Sequence, residues 1–547
     1  MLKNGFIFIL WGLLQFACSP KKKEIDLLLY GAKIYTVDSS FSIQSAMAVD
    51  HGRILETGEQ EALMQKYQAR EMLNAGGQTV WPGLIDAHCH FSGYATDKWK
   101  CDLRGTTSFN EVIERVKRYA QKGPMFWIYG RGWDQNDWKD NQFPDKSKLD
   151  ELFPDRPVLL KRIDGHAALV NQYVLDKFGI TAMTKVNGGS VELKNGKPSG
   201  MLIDNAMDLV DTQVPMPGDS LAKVYFKKAE EECFALGLTG VHDCGISEHT
   251  LELLEQEQRS GNLRMKIFAL LNNDSLYYSK WLKNGVYQTD RLRMGGFKVY
   301  SDGALGSRGA CLLQAYADKP GWKGFFLSDT AQLEKLAAAM SITNLQLCSH
   351  AIGDSANRYM LKLYARALKG KNTRRWRIEH AQVLNEADFH YFGDYDIIPS
   401  VQPTHATSDM YWAEKRLGSH RLKNAYAYKR LLQISGRIAL GTDFPVEDIS
   451  PVKTFYAAVY RKDSKAYPDS GFQKENALSP EEALRGMSIW AAYAAFEEHG
   501  KGSLETGKAA DFILLDRDPA TCPEKDVLGT RVLATYINGE KVYQNPQ

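Results

Sequence analysis

No run of a single charge exceeds the three lysines at 21–23, and the formal net charge is only +2 over 547 residues. A nucleic-acid surface needs a concentrated basic field, so that class of partner is set aside. Cysteine is scarce and unpatterned: eight are present, with no paired spacing and no C-x-x-C knuckle. That excludes a disulfide scaffold, although a single disulfide stays open in an exported chain. Most of the cysteines sit in apolar contexts such as LQLCSH and EECFALG, where a free cysteine is a small core residue. The opening apolar run, Phe6 to Leu14, is too short to span a bilayer comfortably.

That run follows Lys3 and leads to the small residue Ala17 and then Cys18, the layout of a secretory signal peptide over residues 1–18. Its ending resembles a bacterial lipoprotein signal, which implies an exported protein held to a membrane only through lipid on Cys18. SPKKKE is then a polar tether. A plain secreted protein cut near Ala17 is the alternative, since Gln15 and Phe16 depart from the lipoprotein pattern.

The length calls for more than one core. Segments 25–80 and 500–547 both read as short strands separated by turn glycines, and each alone supplies too few strands for a core. Pairing them gives a small β-sandwich built from both chain ends. Between them, in 81–499, apolar strand-like runs alternate with helix-like segments, the texture of a parallel α/β fold. The runs VWPGLIDAHCH, PVLLKRIDGHAALVN, LTGVHDCG, LRMGGFKVYSDG, LQLCSHAIGD, RWRIEHAQ, IIPSVQPTH and RIALGTDFP supply one candidate for each strand of a (β/α)8 TIM barrel. Asn195-Gly196 marks a hairpin insertion near 186–205.

Each run begins apolar and finishes in an ionisable or amide side chain: His88 and His90, His166, His242 and Asp243, Lys298, His350, His380, Gln402 and Asp443. In such a barrel all strand C-termini open on one face, where active sites are built. His88 and His90, two apart on a strand, point to one side and can share an ion. Taken alone, that pair is more commonly two hydrogen-bonded core or surface histidines. Two more histidines, a lysine and an aspartate at other strand ends shift the reading to a divalent metal, zinc being well suited to imidazole and carboxylate.

These residues, with the stretches PGLIDAHCHF, DGHAALVN, GGFKVYSDGALGSRGA, SHAIGDSAN, RIEHAQ, VQPTHATSDMYWAEKRLG and LGTDFPVE, resemble the amidohydrolase superfamily. The branch most similar is amidohydrolase family 3, the YtcJ-like and N-substituted formamide deformylase-like proteins, and the resemblance runs from about Ile25 to the end. It implies two divalent metal ions. His88 and His90 would hold the more buried ion, His350 and His380 the second, and Lys298 would bridge both as an N-carboxylated lysine. Carboxylation matters because an ammonium cannot ligate a cation. Asp443 would touch a metal and act as the base.

The remaining polar residues carry two readings each. His166 either hydrogen-bonds a substrate carbonyl or fixes its loop; His242 and Asp243 are candidates for orienting the ligands. Gln402, His405 and Asp409 serve substrate contact or loop structure, and Arg308 pairs with a substrate anion or braces its glycine-rich turn. GRGWDQNDW and the hairpin could cap the barrel mouth, with Trp133, Trp138, Tyr411 and Trp412 lining an apolar pocket. The expected activity is metal-dependent hydrolysis of a carbon–nitrogen bond in a small-molecule substrate: a non-peptide or cyclic amide, an N-acyl amine or an N-formyl amine. A lactone or ester hydrolase, a deaminase, and a catalytically silent surface ligand-binding protein are the alternatives. The sequence leaves oligomeric state open.

Overall fold

The computed structural model describes residues 22–121, 126–215, 217–272 and 274–546, so the signal peptide, Cys18 and the first half of the tether lie outside the described residues. Its centre is a parallel barrel of eight strands: Leu84–Cys89, Leu238–Ile246, Lys266–Leu271, Leu292–Tyr300, Gln346–Ala351, Arg377–His380, Ile398–Val401 and Ala439–Leu440. The ladder runs unbroken from first strand to last. Two backbone bonds draw the ends together just past the last strand: Asp443 N–H to the His88 carbonyl at 2.7 Å and His90 N–H to the Phe444 carbonyl at 2.8 Å. The strands are apolar and almost wholly buried, as parallel strands covered on both faces must be.

One candidate strand is corrected. PVLLKRIDGHAALVN is two strands, Val158–Arg162 and Ala167–Val170, paired antiparallel and outside the barrel. The cause is Asp164-Gly165, a turn signal inside the run, with Gly165 at φ +76° reversing the chain. The barrel's third strand is instead Lys266–Leu271, KIFALL. It leads into Asn272 with no ionisable group at its end, so a reading keyed on charged strand ends passes over it.

The displaced run belongs to a six-stranded sheet inserted after the first barrel strand. Its order is Gly189–Lys194, Lys197–Asp204, Ala167–Val170, Val158–Arg162, Ile128–Trp133 and Cys101–Asp102. The Asn195-Gly196 hairpin joins its first two strands. Trp133 and Trp138 form this sheet's own core, their indole N–H groups donating to the Leu160 and Thr106 carbonyls, and do not line a pocket. Trp412 is buried as well, whereas Tyr411 is half exposed and stacks on Tyr467. The insertion is pinned to the barrel loops by buried charge. Arg416 makes the link by reaching both Asn136 in the insertion and Asp318 in the barrel, while Arg162 braces the insertion's own loop by donating to Asp134, Asp164 and Gln135.

The two chain ends share one eight-stranded sheet, joined where Phe512–Leu515 pairs antiparallel with Thr79–Pro82. Leu27, Leu29, Met47, Val49, Phe512 and Tyr536 form its core, the last two stacked at 4.3 Å. Buried Lys266 ties this sheet to the barrel through Asp511 at 2.7 Å and Asn538 at 2.7 Å. Among the described residues no helix is long and apolar enough to cross a membrane.

Candidate metal centre

Asp86 and His88 share an inward face of the first strand, and His90 follows at the same spacing. Asp86 accepts from the Thr442 N–H and hydroxyl, which locks the last strand's exit against the first. That exit carries Asp443 to the barrel axis. Asp443 Oδ1 lies 3.1 Å from His90 Nε2 and 3.5 Å from His88 Nε2, and His405 Nε2 stands 3.5 Å from Oδ2. Lys298 on the fourth strand is fully buried with Nζ 3.3 Å from His88 Nε2. His350 and His380, ending the fifth and sixth strands, have rings 4.6 Å apart, and His380 is 4.8 Å from His88.

The six expected ligands therefore converge from five strands. Backbone strain accompanies them: His380 and Asp443 sit at φ +73° and +65°, unusual for residues with side chains and characteristic of functional sites. Burial and the neighbouring Lys298 ammonium push His88 down to about 4, and burial also holds His350 and His380 well below the usual imidazole value. Their nitrogens are neutral and have lone pairs to offer. Burial alone would raise Asp443, but His90, His88 and His380 outweigh it, and the carboxylate stays ionised.

This arrangement fits divalent ions. Ligand atoms of His88, His380 and Asp443 all lie within 4.8 Å of one another. Asp443 Oδ1 is buried and makes no well-directed hydrogen bond, nor does the buried Nε2 of His405. Orphaned groups of this kind are costly unless something pairs with them. Neutral imidazoles around an ionised carboxylate are a donor set for zinc or a similar ion.

The groups that orient His88 and His380 are one residue the sequence did not single out and one it read otherwise. His88 Nδ1 meets Glu379 Oε2 at 2.6 Å, both fully buried, leaving Nε2 for an ion. Glu379 was printed beside His380 in RIEHAQ, but nothing in the chain shows which distant group it meets. Gln402, read as a substrate residue, is buried with Oε1 2.7 Å from His380 Nδ1 and orients that ring. Arg308 donates to Asp318 at 2.9 Å, the bracing alternative. His242 packs near Arg377 and the Ala87 carbonyl, and Asp243 accepts from Ser92 N–H; neither bonds to a ligand side chain. His166 reaches the site from the insertion, its ring 5.2 Å from that of His350.

A parallel barrel with imidazoles, a lysine and an aspartate gathered at its C-terminal mouth is the architecture of a metal-dependent hydrolase. The chain belongs to the amidohydrolase family, hydrolases of carbon–nitrogen bonds, whose family model matches residues 71–543. Protein LONG AFTER FAR-RED 3 of Arabidopsis thaliana is 34% identical over 552 residues, covering 97% of this chain and 94% of that protein. N-substituted formamide deformylase of Arthrobacter pascens is 27% identical, covering 95% and 98%. An uncharacterized metal-dependent hydrolase from Pyrococcus furiosus superposes with a TM-score of 0.70 at 28% identity, covering 90% of this chain and all of that one.

Proposed function

We propose that the protein hydrolyses an N-formyl or N-acyl amine, or a cyclic non-peptide amide, to a carboxylate and an amine. Two divalent ions, best supplied as zinc, would be held by His88, His90, His350, His380 and Asp443, with carboxylated Lys298 between them. The observation that carries the reading is the convergence of His88, His90, His380 and Asp443 at the barrel mouth, with Asp443 Oδ1 buried and lacking a directed hydrogen bond. Similarity to the formamide deformylase favours an acyl group as small as formyl. When bound, the ions supply Lewis-acid polarisation of a carbonyl oxygen and acidify water.

The chain's own part follows from its geometry. Asp443 takes the proton of the attacking water as C–O forms and then returns it to the nitrogen, which leaves with the C–N electron pair in a second step. His90 and His405 flank the Asp443 oxygens at 3.1 and 3.5 Å. Glu379 and Gln402 fix the ring planes of His88 and His380. Export and lipid attachment at Cys18 complete the proposal and place this chemistry at a membrane surface.

The test is hydrolysis by zinc-loaded, bicarbonate-treated protein across N-formyl amines, N-acyl amino acids, cyclic amides, lactones and esters. Turnover of an amide that falls at least about 10³-fold in Asp443→Asn supports the reading. Activity confined to esters or lactones, or turnover indifferent to that substitution, sinks it.

A further inference from the structure

A cleft at the seam between barrel and insertion takes no part in the proton transfers at Asp443. Its walls carry Asp97, Lys100, Arg104, Arg131, Ile163 and Pro445, with Asp102 beside them. Three wall segments run on from residues of the centre: the helix Phe91–Asp97 starts next to His90, Pro445 closely follows Asp443, and Ile163 leads into the turn before His166. A Cβ at Gly165 in that turn would lie 3.6 Å from Arg131 Nη2, so the guanidinium rests against it. The cleft therefore flanks the metal centre.

Its charge does not balance, because three cations line it against two carboxylates. Arg104 is spent on Asp102, with both contacts at 2.8 Å. Asp97 is shared, accepting from Lys100 at 2.5 Å and from Arg131 Nη1 at 3.2 Å, so one carboxylate serves two cations. Lys161, next in range, is paired with Asp211 at 2.5 Å and leaves the excess as it is. Two donors remain. Arg131 gives Nη2 to the Ile163 carbonyl at 3.2 Å, while its Nε–H is buried without a partner. The Lys100 side chain is only 8% exposed and lies with Nζ 4.4 Å from the centre of the Tyr129 ring, its three hydrogens set against one carboxylate contact. The cavity volume is about 30 Å³, room for about two water-sized atoms. Two donors and space for two oxygens describe a seat for one carboxylate.

We propose that this cleft holds a carboxylate of the substrate, which makes the substrate an N-formyl or N-acyl amino acid and not a neutral amide. This rests on the reading of the site as a hydrolytic centre and names the class of amine it releases. Water adds its hydroxyl to the acyl carbon and its proton to the nitrogen, so the products are formate or another carboxylate and the free amino acid. Seated on Arg131 Nε and Lys100 Nζ, the substrate carboxylate neutralises the odd cation, and charge-assisted hydrogen bonds fix the amino-acid end beside the centre. On the His405 flank of Asp443 an anion finds no such seat, because Ser408 bonds both the His405 carbonyl and Glu447 and is followed by Asp409, which crowds that side with carboxylates.

The test uses zinc-loaded, bicarbonate-treated protein and two matched pairs, N-formyl-leucine and N-formyl-phenylalanine, each beside the same formamide lacking its carboxylate. Binding is read by calorimetry and turnover by the amine released, with zinc content measured in every protein. Wild type should bind and cleave the acid of each pair at least about 10-fold better than its neutral counterpart. Arg131→Gln and Lys100→Met should each cut that advantage about 10-fold, the loss falling on KM, and Arg131→Lys should keep part of it. A general loss of structure would weaken both members of a pair alike, so their ratio reads the cleft alone. Acid and neutral compounds bound and cleaved equally by wild type, a comparison that needs no variant to fold, overturn the anion seat and leave the hydrolytic centre standing. An advantage that survives both substitutions, or no binding of either acid, overturns it too. An acid bound with the expected preference but never hydrolysed overturns the hydrolytic reading instead, leaving the cleft a carboxylate site without that chemistry.

Discussion

Glu379→Gln isolates a single charge at the heart of the centre. The carboxylate and His88 are both fully buried at 2.6 Å, and burial, which by itself raises Glu379, is outweighed by His88, Arg377 and Lys298, which bring it down to about 2. Glutamine keeps the volume and an acceptor for Nδ1–H, so the ring stays oriented while Nε2 loses the electron density a carboxylate lends it. A buried hydrogen bond to a charged group contributes about 1.5–3 kcal/mol, and outer partners of metal-bound histidines typically change affinity by roughly 10- to 100-fold. Zinc dissociation constants, measured by competition with a chromophoric chelator, should rise by that factor. The metal-free variant should also melt lower, because Lys298 and Arg377 lose a buried counter-charge, Arg377 Nη1 being 3.9 Å from Oε1. Unchanged zinc affinity in a folded variant would refute the claim that Glu379 tunes a metal-binding His88.

Two further outcomes are expected away from the chemistry. Lys266→Ala strands the buried Asp511 carboxylate between barrel and terminal sheet, so denaturant unfolding should show a loss of about 3–5 kcal/mol. The pH dependence of the metal-free protein follows from its histidines. His88, His350 and His380 titrate lower folded than unfolded, so the unfolded state binds more protons below pH 6.5 and stability falls as pH drops from there toward 4. Each contributes on the order of 1.4 kcal/mol per pH unit in that window. Glu379 acts in the same direction at lower pH: its depressed value stabilises the fold above about pH 4.5, and that contribution drains as pH falls toward 2. Thermal midpoints of metal-free protein that are flat from pH 7 to 5 would contradict this.

The convergence of these side chains was legible because barrel geometry repeats: an apolar run ending in an ionisable residue says where that residue stands, and His88, His350, His380 and Asp443 all obey. Lys266–Leu271 escaped because its end is chemically silent, and the His166 run misled because a hairpin turn hid inside an otherwise strand-like stretch. Partners were harder to read than ligands. Glu379 meets a histidine 291 residues away, and Asp204 meets His166 across a sheet whose register no local pattern specifies. Trp133 and Trp138 looked like pocket walls because loops near a mouth invite that reading; an insertion large enough to own a core claims them instead.

Zinc-edge anomalous diffraction from crystals of the bicarbonate-treated protein tests the metal centre most directly. The account predicts two peaks at the barrel mouth, one against His88 and His90 and one against His350 and His380, with added density on Lys298 Nζ between them. A single peak, or peaks away from these residues with Lys298 unmodified, would contradict it.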